Sequence, residues 1–136
     1  MKQLLKYLLA IPLVMASVSV WAVGLGELKI LSNLNQGFYA ELDLIETGQF
    51  STDEIVVSIA SYDTFARYQL ERPIFFDDVE ILPLSAAARD GVMRYAVQSN
   101  TFVHEPFLHF IVEARWPGGR VLREYTALLE LPPRLP

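Results

Sequence analysis

Phe107-Leu108-His109-Phe110-Ile111-Val112-Glu113-Ala114-Arg115, then Trp116-Pro117-Gly118-Gly119-Arg120, then Val121 through Leu131, is the stretch that decides the fold. Leu108, Phe110, Val112 and Ala114 fall on one side of an extended chain, and His109, Glu113 and Arg115 on the other. This period of two belongs to a strand with one buried face. Proline and a glycine pair supply turn dihedrals between the two alternating runs, so the stretch reads as a β-hairpin with a short loop.

The same alternation recurs upstream. Phe38, Ala40, Leu42 and Leu44 oppose Tyr39, Glu41 and Asp43. Leu28 and Ile30 oppose Glu27 and Lys29 in a shorter first strand. Ile55–Ala60 is nearly continuous and β-branched, which suits a central strand. Val79–Leu82 and Met93–Gln98 add two more. One segment breaks the pattern: Ser61 is an N-cap candidate, Asp63 sits in the first turn, and Phe65 and Tyr68 are three apart, so a short helix is expected there. Pro73 stops helix beyond Glu71. Gly24-Leu25-Gly26 reads as a flexible lead-in, because its glycines precede a strand rather than follow one as a dinucleotide loop requires. About seven strands with one short helical insertion predict an all-β, immunoglobulin-like sandwich, with a small barrel as the alternative.

The amino terminus is read as export machinery. Lys2 and Lys6 open an apolar run from Tyr7 to Val20, and Val20-Trp21-Ala22 fits a signal peptidase site. Pro12 would kink a permanent span, and the run is shorter than the ~20 residues a spanning helix prefers. The expectation is a signal peptide over 1–22, cleaved after Ala22, with a periplasmic domain over 23–131 and a proline-rich tail over 132–136. An uncleaved inner-membrane anchor is the alternative. Cleavage leaves 136 less 22, or 114, residues, the size of one domain. There is no cysteine, so packing and strand pairing alone must hold the fold, and no lipobox exists. Taking Lys2 and Lys6 from the eleven basic residues leaves nine against sixteen acidic ones, a net charge of −7. That argues against nucleic acid and anionic lipid as partners.

Three further blocks follow the same order along the chain: Gly24-Leu25-Gly26-Glu27-Leu28 with Ser32-Asn33-Leu34-Asn35-Gln36 and Ala40-Glu41-Leu42-Asp43-Leu44; Ala60-Ser61 with Phe65-Ala66-Arg67 and Arg72-Pro73; and Glu105 through Leu129. Together they resemble the N-terminal periplasmic domain of the FimV/HubP-type polar organisers. The resemblance implies a non-enzymatic protein-interaction module linked to type IV pilus assembly, twitching motility or cell-pole organisation, with envelope or pilus-assembly proteins as partners. Family members typically add a peptidoglycan-binding LysM module, a membrane helix and a cytoplasmic repeat region. These 136 residues hold none of them, so peptidoglycan binding is not carried over, nor is a membrane span after signal cleavage. Gln36-Gly37-Phe38 stands where the family tends to have a proline-leucine pair. A free-standing homologue and a shortened gene product both remain open.

Chemistry-bearing constellations are few. His104 and His109 are five apart, on opposite faces of a strand, which is poor metal-ligand spacing. Asp77-Asp78-Glu80 lacks the glycine turn of a calcium loop. Ser99 and Thr101 lie near His104-Glu105, but no nucleophile elbow surrounds either hydroxyl. No enzyme activity, cofactor or metal is expected. Arg115, Trp116, Arg120, Arg123 and Tyr125 form the candidate interaction surface, since Arg, Tyr and Trp are the anchor types favoured at interfaces. Cross-strand ion pairs with Glu113 and Glu124 on a solvated face are the plainer account of the same charges. The rival function is a chaperone-like or pilus component presenting an exposed edge strand beside an apolar groove.

Overall fold

The computed structural model describes residues 23–45, 47, 50–85 and 89–134. The segment read as a signal peptide, and the last two residues of the tail, lie outside them. Two sheets pack face to face. One holds β1 (Gly24–Ile30), β2 (Gly37–Ile45), β5 (Met93–Phe102) and β4 (Glu80–Pro83) in the order β1-β2-β5-β4. The other holds β3 (Val56–Ile59), β6 (Phe107–Trp116) and β7 (Gly119–Leu128) in the order β3-β6-β7. All pairings are antiparallel. This four-plus-three arrangement is the strand order of a constant-type immunoglobulin domain. The expected sandwich is therefore what forms, and the barrel does not.

The alternating residues close the space between the sheets. Leu42 on β2 faces Leu28 and Tyr95 in register, and Ala40 faces Ile30 and Val97. From the other sheet Leu108, Phe110, Val112 and Ala114 are buried against them. Phe110 is the hub. Its ring lies 6.3 Å from Phe38, 5.2 Å from Phe76 and 6.1 Å from Tyr125, within the range of favourable aromatic pairs.

Two expectations are corrected. The β-branched run at 55–60 is not central: β3 is an edge of the three-stranded sheet, with Val57 buried and Val56 60% exposed. A run of β-branched residues states a strand preference but not which face is covered. Nor is Gly24-Leu25-Gly26 a flexible lead-in. It is the first half of β1, with Gly24 opposite Ile45 and Leu25 buried opposite Leu44. A side chain at position 26 would meet the Asp43 carbonyl oxygen at 2.8 Å, so glycine permits the close approach of β1 to β2.

The helix forms where its cap is. In α1 (Tyr62–Arg67) Ser61 Oγ accepts the Thr64 N–H at 3.2 Å. The helix ends in a Schellman motif: Leu70 N–H donates to the Phe65 carbonyl and Gln69 N–H to the Ala66 carbonyl. A 3-10 helix, Ile74–Asp78, then follows Pro73 and was not expected.

Candidate interaction surfaces

The β6–β7 hairpin turns through Pro117-Gly118, with Trp116 opposite Gly119. Neither Gly118 nor Gly119 takes a positive φ. Their lack of a side chain instead makes room for the Trp116 indole, which a Cβ at Gly118 would meet at 3.2 Å. The pleat then divides the five residues read as one surface. Arg115 and Arg120 are cross-strand partners on the outer face, while Arg123 and Tyr125 pair with the core residues Val112 and Phe110 and turn toward the other sheet.

The outer pair surrounds one acid. Glu113 is only 4% exposed, yet it lies on the outer face. Arg115 Nε donates to it at 2.7 Å and Arg120 Nη1 approaches at 3.5 Å. The inner pair fastens the sheets together. Arg123 Nη1 donates to the carbonyls of Leu25 and Gly26 at 2.8 and 2.9 Å, and the Tyr125 hydroxyl donates to Gly26 at 2.6 Å. These carbonyls sit where the β1 ladder shifts register between Leu25 and Leu28. Burial pushes the Tyr125 hydroxyl up to about 12, against the nearby Arg123 charge.

The other polar clusters are also joined to backbone or to each other. Arg72 donates to the Ala60 carbonyl at 2.9 Å, pairs with Asp77 and lies 4.3 Å over the Tyr62 ring, while the Tyr62 hydroxyl donates to Asp77. The Asp77 carboxyl is held below its ordinary value by those bonds from Arg72 and Tyr62. Asp78 accepts the N–H groups of Asn100 and Thr101 at 3.0 and 2.7 Å, and the contacts with Thr101 and then Asn100 lower it too. Asp77 and Asp78 of the calcium candidate thus point to different partners. Ser99 Oγ accepts from Phe38 N–H and donates to the Thr101 carbonyl, while His104 Nδ1 lies 3.0 Å from Asn35 Oδ1. The hydroxyl proton is engaged by backbone and not by the imidazole. His104 precedes β6 rather than sharing its strand with His109, whose Nε2–H donates to Glu124 at 3.0 Å. Among the described residues no three potential metal ligands group together.

Large apolar residues are exposed at several places, among them Val56 beside the hairpin turn and Phe102, Phe107 and Leu128 at the opposite end of the sandwich. This end is knit by backbone bonds from Leu34 N–H to Glu130, Asn35 N–H to Val103, and Leu129 N–H to Pro106. Phe107 and Leu128, cross-strand partners, are 55% and 67% exposed. Both lie on the outer face, in phase with His109 and Glu113, where the alternation of the sequence puts them. At the same end Pro73, Ile74, Phe75, Phe102, Val103 and Leu108 line a cavity of about 270 Å³, which Thr101, His104 and Glu105 also line. Ile74 is 81% exposed and Phe102 58%. The signal in the sequence was Ile74-Phe75-Phe76, three large apolar residues after a proline. Phe76 is buried in the core and Phe75 packs partly buried against it, while Ile74 is left outside.

Among the described residues no helix is long and apolar enough to cross a membrane. Residues 23–132 match the FimV N-terminal domain, an Ig-like domain. The Motility hub protein FimV of Pseudomonas aeruginosa PAO1 is 37% identical over 119 residues, covering 88% of this chain and 13% of that protein. Its counterpart in strain UCBPP-PA14 has the same identity and coverage. The chain therefore spans about an eighth of the length of the curated relatives it matches. No solved structure matches it.

Proposed function

The chain belongs to the FimV N-terminal domain family, and from that premise we propose that it is a non-catalytic interaction module of the bacterial envelope serving pilus-based motility or cell-pole organisation. Its place is the periplasm, reached by export and cleavage after Ala22. Its partners are envelope or pilus-assembly proteins.

One observation carries this reading. The polar side chains suited to chemistry are engaged in holding the fold, whereas Ile74 and Phe102 stand exposed in the lining of one largely apolar cavity. Contiguous exposed apolar surface on a small domain marks a contact region. The strand set weighs against a sandwich awaiting a donated strand, since all seven positions of the immunoglobulin order are filled. Three of the edges are also blunted: β4 is four residues ending in Pro83, and Arg123 and Tyr125 lash the β7 edge to the β1 edge.

In-cell photocrosslinking tests the reading. A photoreactive phenylalanine analogue at position 128 should capture an envelope protein, and one at position 27, on the polar face of the other sheet, should not. Deleting the gene should reduce surface motility or displace a polar marker. No capture together with unchanged motility and polarity overturns the proposal. Membrane-retained protein at full precursor mass overturns the cleavage.

A further inference from the structure

We propose that the cavity between the 3-10 helix and the start of β6 is a peptide-docking pocket for one large apolar side chain followed or preceded by a lysine or arginine. The proposal rests on the interaction reading above and names its site and the chemistry of its occupant.

The argument starts from shape. An apolar cavity of about 150 Å³ takes a benzene ring. The pocket here is about 270 Å³ and its floor is Phe75, Val103 and Leu108, so an aromatic or large aliphatic side chain fits with backbone left outside. The floor is also firmly held. Val103 is buried and bonded through both backbone groups, its N–H to Gln36 and its carbonyl to Asn35. The 3-10 helix, which contributes Ile74 and Phe75 to the lining, is pinned at Asp77 by Arg72 and Tyr62, and at Asp78 by the β5 backbone. A pocket with walls fixed this way loses little ordering entropy on binding.

Charge then selects the occupant. Glu105 is the one carboxylate among the lining residues, and no lysine or arginine lines the pocket. His104 is turned to Asn35. The domain as a whole carries nine basic against sixteen acidic residues after Lys2 and Lys6 are removed. A partner segment with a cation beside its apolar anchor meets an attractive field on approach, and an acidic flank is repelled. The same charge opposes a second copy of this chain as the occupant.

The test uses the purified, isotopically labelled chain and three synthetic peptides on a common glycine-serine frame, with centres Phe-Lys, Phe-Glu and Ala-Lys, followed by amide NMR shifts. The Phe-Lys peptide should shift the amides of Ile74, Phe102 and Glu105. Replacing Phe by Ala should weaken binding at least about tenfold, as expected for burying an aromatic side chain. Replacing Lys by Glu should weaken it about threefold, the scale of an exposed charge contact. Glu105→Lys should reverse the charge preference, and Ile74→Asp should remove binding. Both positions are exposed, so unchanged spectra elsewhere certify the fold. Shifts that fall elsewhere, no shift, or equal binding of all three peptides overturn the pocket. Concentration-dependent broadening at these amides without peptide overturns it in favour of a second copy. If in-cell capture at position 128 persists in the Ile74→Asp chain while the peptides fail, the pocket falls and the interaction module stands.

Discussion

The Tyr125 hydroxyl lies 2.6 Å from the Gly26 carbonyl oxygen, 99 residues away in sequence, and donates to it. The last strand thereby fastens the first, across the open edge between the two sheets. Arg123 donates to the same oxygen and to its neighbour on Leu25.

Loss of this fastening should be measurable. Tyr125→Phe should cost about 1 kcal/mol, the net worth of one hydrogen bond, and Arg123→Met about 2 kcal/mol, because its donors are charged. Gly26 is shared by both, so the double variant should lose more than the sum. Urea unfolding reads all three values, and strict additivity would show that the two contacts act independently.

Gly26→Ala should destabilise by about 1–3 kcal/mol, the range for overpacking, since the new methyl meets a backbone carbonyl at 2.8 Å that cannot swing away. Gly91→Ala makes the useful comparison. Nothing lies within 4 Å of its Cβ position, and only its φ of 75° opposes the change. Thermal melts of the pair should place Gly26→Ala lower; the reverse order would refute the close approach of β1 to β2.

Gln69 occupies the left-handed position of the Schellman motif, with φ 57°, and its side chain is exposed. Gln69→Gly should therefore stabilise by about 1 kcal/mol, because glycine adopts that conformation without the steric penalty. A lower midpoint in denaturant would show that the glutamine side chain has an unrecognised role.

Stability should fall at both ends of the pH scale for different reasons. Asp77 and Asp78 are lowered from an ordinary 3.8, so the folded state favours their charged forms. Their contribution is present above that value and is lost as pH falls through the folded values. Asp77→Asn/Asp78→Asn should flatten the acid limb below about pH 4. Tyr125 is raised from 10.0 to about 12, so its contribution is complete below 10 and is lost as pH rises toward 12. Tyr125→Phe should flatten that alkaline limb. Unchanged limbs in either variant would assign the titration to other groups.

The pleat and the cap were legible early. Phe38–Leu44 and Leu108–Ala114 alternate so regularly that the buried face could be assigned residue by residue, and Ser61 marked the helix start where α1 begins. The placement of the five candidate interaction residues was less legible. Arg115, Trp116, Arg120, Arg123 and Tyr125 are neighbours in sequence, but a strand turns successive side chains to opposite faces. The structure places Arg115 and Arg120 outside around Glu113 and sends Arg123 and Tyr125 to β1. The family resemblance read from Glu105–Leu129 and the earlier blocks agrees with the match over residues 23–132.

By itself the sequence determined what each short segment prefers: period-two apolar faces, a capped helical turn, a glycine-bearing hairpin and a core closed without cysteine. These are local, because backbone sterics and side-chain spacing act over a few residues. Only the tertiary structure decided which strand is an edge, which carbonyls receive Arg123 and Tyr125, and why Ile74, Phe102, Phe107 and Leu128 are left exposed at one end. Those outcomes depend on contacts between residues tens of positions apart, whose geometry exists only once the two sheets have packed.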